Sequence, residues 1–202
     1  VGFNRAVKLI EGAKISVGIK EGLKMAEKEL KVNLEQYDLY IRQLEQLDLE
    51  VEELVLQIPG AKEVITIKGV GIITAAGFIA EVGDIKRFTH PGQIQKLAGL
   101  NLIENSSGKH KGKTTISKRG RSRLRALLFR VMMPLVAKNP EFKILHKYYT
   151  NRKDNPLKKK QSLILLSCKL IRILYAIMTK QVEYNPQELI RNISILQLKE
   201  AV

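Results

Sequence analysis

The chain has 202 residues, a mass of 22.9 kDa and a net charge of +15. With 45% hydrophobic and 27% charged residues it can build one ordinary core or two small ones, which excludes global disorder. One cysteine excludes an internal disulfide framework, and the excess of Lys and Arg points to a polyanion partner, most often nucleic acid.

The chain opens Val1-Gly2 rather than with Met and carries no signal peptide, which suggests a fragment or processed product. No window reaches the roughly 18 uninterrupted apolar residues of a membrane span. The nearest, Leu163 to Met178, is cut by Lys169 and Arg172. The expected location is therefore cytoplasmic, with no membrane partner. Residues 1–58 hold 8 Lys/Arg against 11 Asp/Glu, and residues 59–202 hold 27 against 9. The change of sign falls at Ile58-Pro59-Gly60, a breaker pair, and divides the chain into an acidic arm (1–58) and a basic helical module (59–202).

The arm is periodic. Leu23, Leu30, Leu34, Tyr37, Ile41, Leu44, Val51, Val55 and Ile58 follow alternating three and four spacing, with Glu27 and Asp48 as the polar exceptions. A helix over 23–58 would be about 54 Å long, too long for a compact domain, so the heptad predicts a coiled coil. The partner is a second copy or another helix of the same protein; a long amphipathic helix packed on its own domain is the alternative.

The basic module begins with a short helical stretch, Ala61 to Ile67, then Lys68-Gly69-Val70-Gly71, then a second helix from Ile72 to Val82. Ala75, Ala76, Gly77 and Ala80 allow close helix contact. The pattern resembles a helix-hairpin-helix, in which two glycines let backbone N–H groups approach a phosphate; the bland alternative is a plain turn. Lys68, Gly69 and Gly71 are accordingly DNA-binding candidates. Thr89-His90-Pro91-Gly92 reads as a helix start, with Thr89 or His90 at the cap, and Gly99 ends that helix. His90, His110 and His146 have no Cys or His at ligand spacing, which predicts no structural zinc.

From Asn105 to Pro140 there are ten Lys/Arg and no carboxylate. Gly108, Gly112 and Gly120 keep the loop adaptable. Arg119, Arg121, Arg123, Arg125 and Arg130 then enter a helix whose buried side carries Leu124, Leu127, Leu128 and Val131. The composition is that of a phosphate-contacting loop feeding a basic helix, with Lys109, Lys111, Lys113, Lys118, Arg119 and Arg121 as DNA contacts; a solvated basic face is the alternative. Phosphoryl transfer needs an oxygen nucleophile among positive charges, which Ser107 beside Lys109 could supply, although loop serines usually only form turns.

Further on, Leu163, Leu166, Leu170, Leu174 and Ile177 form a helical stripe, and Lys158, Lys159 and Lys160 before it read equally as a nucleic-acid contact or a solvated run. Cys168 sits in this run as a small buried thiol. Gln187 to Leu198 reads as a short terminal helix. The fold class is all-α: a long coiled-coil arm followed by a compact helical domain containing a helix-hairpin-helix, with room for a short ribbon around Lys113 to Ile116.

Five elements occur in order between Ile65 and Leu128: Ile67-Lys68-Gly69-Val70-Gly71; Ala80-Glu81-Val82-Gly83-Asp84-Ile85 closed by Arg87-Phe88; Leu97-Ala98-Gly99-Leu100; Ser107-Gly108-Lys109; and Ile116-Ser117-Lys118-Arg119-Gly120 followed by Leu124-Arg125. Together they resemble the C-terminal domain of the IS110/IS116/IS902 transposases. The resemblance implies a DNA recombinase whose serine nucleophile is Ser107, with Ser106 adjacent. Ser117 is expected to cap the basic helix. It implies homo-oligomerisation through the arm and adds a guide RNA as a candidate partner, since some members use a structured bridge RNA. It also implies an upstream RuvC-like domain holding a divalent metal. Here no acidic cluster precedes the arm, and residues 1–22 read as that domain's tail, so the fragment is expected to hold no cofactor and to be inactive alone. The alternative function is a non-catalytic nucleic-acid-binding module.

Overall fold

The computed structural model describes residues 2–18, 21–104, 106–107, 110–112 and 114–190, with the backbone alone for 106, 107, 110 and 111. The chain divides into two compact units, Val1–Leu47 and Asp48–Val202.

The first unit holds helix α1, Phe3–Ile15, and most of helix α2, Leu23–Leu56. Gly22 precedes α2 at φ +78°, and no Gly or Pro interrupts its 34 residues, about 51 Å of helix. Glu27 and Lys31, one turn apart, pair at 3.1 Å on its surface. None of the described side chains of this unit is buried, so Leu23, Leu30, Leu34, Tyr37, Ile41 and Leu44 all lie exposed.

In the second unit, Val55 in the last turn of α2 is buried and Val51 half-buried. The order continues with α3, Ala61–Ile65; α4, Ile72–Val82; a 3-10 turn, Ile85–Arg87; α5, Pro91–Leu97; four two-residue strands; α6, Ser122–Lys138; α7, Pro140–Asn151; α8, Lys159–Lys180; and α9, Pro186–Ile190. Among the described residues the fold is all-α apart from these short strands. The expected terminal helix is seen over Pro186–Ile190, and its remainder to Leu198 lies outside the described residues.

Helix α8 is the centre of the core. It packs against α3, α5, α6, α7 and the 3-10 turn. Its buried face, Leu163, Leu166, Leu170, Leu174 and Ile177, extends to Ile171 and Met178. Lys169 and Arg172 are too few to make it polar: among the described residues, α8 is long and apolar enough to cross a membrane. Half of its most apolar window is buried against other helices, as in the core helix of a water-facing bundle. Cys168 is half-buried rather than fully enclosed; burial raises its thiol pKa and Arg172 opposes the rise. Pro59-Gly60 lies inside this second unit. Gly60 has φ +82°, and a Cβ there would stand 2.7 Å from the Met178 Cα, so only glycine lets α3 begin against α8.

The strands form two antiparallel pairs. β1, Leu102–Ile103, pairs with β4, Thr115–Ile116; β2, Ser106–Ser107, pairs with β3, His110–Lys111. The sequence left room for a ribbon near Lys113 to Ile116, and Thr115-Ile116 is one of its strands. The partner, Leu102-Ile103, was not anticipated.

Candidate nucleic-acid interface

The hairpin at residues 68–71 connects α3 to α4, and its two glycines do different work. Gly69 has φ +102° and lies against α6, where a Cβ would stand 3.2 Å from the Leu135 Cα. Here glycine serves packing. Gly71 is the extended N-cap of α4, and a Cβ there would meet nothing within 4 Å. It is the open position in front of α4's first amides. The Lys68 carbonyl accepts from Asn139 Nδ2 at 3.3 Å, while the Lys68 side chain faces solvent. Asn139 is buried, and its Oδ1 also caps α7 by accepting from the Phe142 N–H at 3.2 Å. The Asn139-Pro140 pair, a cap followed by N1 proline, was a readable signal for this start, although it says nothing of the tie to Lys68. In α4, Gly77 gives the expected close contact: a Cβ there would sit 3.1 Å from Leu127 of α6.

Helix α5 begins and ends as its sequence predicts. His90 is the N-cap, and its Nδ1 accepts from the Gly92 N–H at 3.0 Å, with Pro91 in the first turn. At the other end Gly99 has φ +69°, and the Gly99 and Leu100 N–H groups donate to Lys96 and Gln95, both at 2.9 Å.

The next carbonyls of that helix end are taken by residues 118–125. Arg121 N–H donates to Leu97 at 2.7 Å, Arg125 Nη1 donates to Ala98 at 3.0 Å, and Lys118 N–H donates to Gly99 at 3.0 Å. Arg125 Nη1 also reaches the Lys118 carbonyl at 3.3 Å. Gly120, at φ +133°, is pressed on the backbone of Leu97 and Gly99, so no Cβ fits. Arg121 Nη1 donates to the Glu81 carbonyl at 2.8 Å and pairs with its carboxylate at 3.7 Å. Residues from the second, third and fifth sequence elements thus meet in one clamp. Sequence reasoning missed Arg125 and Glu81 because their partners are 27 and 40 residues away.

The clamp closes the base of the ribbon. Ser117 N–H donates to Asn101 at 2.8 Å, adjoining the β1–β4 pair. Ser117 therefore does not cap α6. The N-cap is Arg121, without a side-chain cap bond, because α6 starts only after the turn at Gly120. Inside the outer pair, Ser107 stands opposite His110 and Ser106 opposite Lys111. Lys109 and Lys113 lie outside the described residues, and only the backbone of Ser107 and Lys111 is described. Lys118 and Arg119 are exposed, as are Arg123 and Arg130 on α6, whose other side buries Leu124, Leu128 and Val131. Leu127 is half-buried beneath Gly77. Lys118 holds φ +54°, a strained value for a lysine that its two backbone bonds maintain. Arg121 is placed between Glu81 and solvent, so part of its charge is used within the protein.

Among the described residues no group of three or more His, Cys, Asp and Glu could hold a metal ion. His146 Nδ1 and Ser162 Oγ share a 2.9 Å hydrogen bond, which ties α7 to α8.

Residues 61–147 match the family model described as Transposase IS116/IS110/IS902 family. Over 62 residues the chain is 42% identical to the putative transposase y4qE of Sinorhizobium fredii, covering 31% of this chain and 16% of that protein. It is 43% identical over 63 residues to the transposase of insertion sequence element IS1111A from Coxiella burnetii, covering 31% and 17%. It is 24% identical over 182 residues to the insertion element IS116 uncharacterized 44.8 kDa protein of Streptomyces clavuligerus, covering 90% and 45%. The chain spans less than half the length of each of these relatives.

Proposed function

We propose that the chain is the C-terminal part of a DNA transposase that holds DNA and supplies the Ser107 hydroxyl as nucleophile, on the strength of the match of residues 61–147 to the IS116/IS110/IS902 transposase family model. The observation that carries the reading is a carboxylate-free stretch from Asn105 to Pro140, with ten Lys/Arg, braced at its base by the clamp around Leu97, Ala98 and Gly99. The Ser107 oxygen would attack a backbone phosphorus and release a deoxyribose hydroxyl, conserving the phosphodiester as a serine–DNA ester. The surrounding cations would stabilise the charge that builds on the phosphoryl oxygens.

Completion of strand exchange is assigned to the protein with an upstream RuvC-like domain, which would hold the divalent metal. The exposed leucine stripe of α2 supports homo-oligomerisation by a coiled coil through the arm. A guide RNA is a further partner under this reading, and the location is the cytoplasm.

The test is Ser107→Ala in the full-length protein. Loss of strand exchange with DNA binding retained is the expected result, and Ser106→Ala should leave exchange intact. Unchanged exchange in Ser107→Ala would assign the domain to nucleic-acid positioning alone.

A further inference from the structure

We propose that the turn joining α7 to α8 is a second surface for a phosphodiester backbone, separate from the hairpin at residues 68–71 and built by Arg152, Lys158, Lys159 and Lys160. It rests on the reading of this chain as a nucleic-acid-binding protein and adds a contact region that the five sequence elements do not contain.

Between Lys143 and Lys160 there are seven Lys/Arg and one carboxylate, Asp154. The backbone of the turn is well tied. Leu157 N–H donates to the Tyr149 carbonyl at 2.8 Å, which returns the chain against the last turn of α7, and Asn155 turns it at φ +53°. Arg152 Nε donates to the Asn155 carbonyl at 2.9 Å, and its guanidinium stands 5.7 Å from the centre of the Tyr149 ring. The arginine is therefore held in place before any ligand arrives, which lowers the entropy cost of a contact. Lys158 N–H donates to Gln161 Oε1 at 2.9 Å, so α8 starts with Lys158, Lys159 and Lys160 exposed side by side. Among the described residues no salt bridge engages these three lysines.

The positive charge of the turn also acts on two titratable side chains beside it. Burial first, then Lys159, lowers the His146 pKa. Burial and then Tyr148 raise that of Tyr149, while Arg152 and Arg172 act against the rise.

This arrangement works against stability. Neighbouring lysines repel one another, and they stand at the positive end of the α8 dipole, which has no acidic residue in its first turn. A polyanion relieves both conflicts, and a nucleic-acid backbone supplies closely spaced charge to match a cluster of this width. The surface is also well removed from the hairpin. Lys68 is tied to Asn139 at the start of α7, and the turn lies at its other end, about 18 Å along a 12-residue helix.

DNA and RNA share this chemistry, so both serve as probes. The 202-residue chain is titrated with a labelled DNA duplex and a labelled RNA hairpin over a range of salt, with wild type compared with the triple variant Lys158→Ala, Lys159→Ala, Lys160→Ala. All three side chains are exposed, so the variant should stay folded, with a thermal melt equal to or above that of wild type once the mutual repulsion is removed. The expected result is a log–log salt slope flatter by about two with at least one probe, since each neutralised phosphate contributes about 0.9 on a duplex and about 0.7 on single strands. Flattening with one probe alone identifies the occupant as DNA or RNA. The triple Lys→Arg variant should keep the wild-type slope; flattening there too would show that charge is not the cause and would overturn the proposal. A steep wild-type slope left unchanged by the alanine variant with both probes overturns it while leaving the nucleic-acid reading intact. A wild-type slope near zero removes both.

Discussion

Arg125 donates to the carbonyl oxygen of Ala98 at 3.0 Å, joining the basic helix α6 to the last turn of α5. The same Nη1 reaches Lys118 at 3.3 Å, so one side chain closes the loop from Lys118 to Arg121 over the helix end. An arginine of the basic helix is here spent on two backbone carbonyls of the protein itself.

Arg125→Ala should therefore cost about 2 kcal/mol of unfolding free energy, the range for hydrogen bonds from a charged donor to partly buried acceptors. Arg125→Lys should recover only part of it, since one ammonium cannot copy the guanidinium fork. Urea denaturation measures both. Equal stability of wild type and the alanine variant would show that the clamp holds without this residue.

The two hairpin glycines should respond oppositely. Gly69→Ala places a Cβ 3.2 Å from the Leu135 Cα in a left-handed conformation, and the expected loss is about 1–3 kcal/mol. Gly71→Ala enters open space from an extended backbone, and stability should shift by less than about 0.5 kcal/mol. Weakened DNA binding in Gly71→Ala, with its melt unchanged, would locate a phosphate in front of α4.

His146 makes stability depend on pH. Burial and then Lys159 lower its pKa in the folded protein below the usual 6.5, so the unfolded chain takes up a proton first as the solution is acidified. Stability should be unaffected by this group above about pH 6.5 and should fall below it, until the folded-state value is passed. His146→Asn should remove that part of the acid loss in urea midpoints compared at neutral and mildly acidic pH. An identical pH profile for the two proteins would exclude the effect.

Nucleic-acid binding through the ribbon and α6 should weaken steeply with salt. Nine Lys/Arg lie between residues 105 and 130, but Arg125 is engaged in the clamp and Arg121 is shared with Glu81. If about five phosphates are neutralised by the rest, the log–log slope is roughly −4.5. Lys111→Ala with Lys113→Ala should flatten it by up to about two. A slope near zero, or one unchanged in the double variant, would show that this loop does not hold the backbone.

Residues interacting within a turn or two were legible before any coordinates. The heptad of α2, the His90 cap, the Gly99 stop and the bounds of α4 all follow from hydrogen bonds and side-chain spacing over about four residues, which a sequence displays directly. The stripe of α8 was legible too, though not its place at the centre of the core. What the chain order conceals is competition between distant segments for the same backbone groups. Gly69 and Gly71 look alike in sequence, yet one lies against Leu135 and the other faces open space. Ser117 has the composition of a cap, but its amide is bound to Asn101 and α6 begins after Gly120. Arg121 reads as a ligand for phosphate, and Arg125 as one more charge of a basic helix, until Glu81, Ala98 and Lys118 are brought beside them. A guanidinium satisfies carbonyls and phosphates with the same donors, so only the folding of α4, α5 and α6 against one another determines which acceptor each arginine meets.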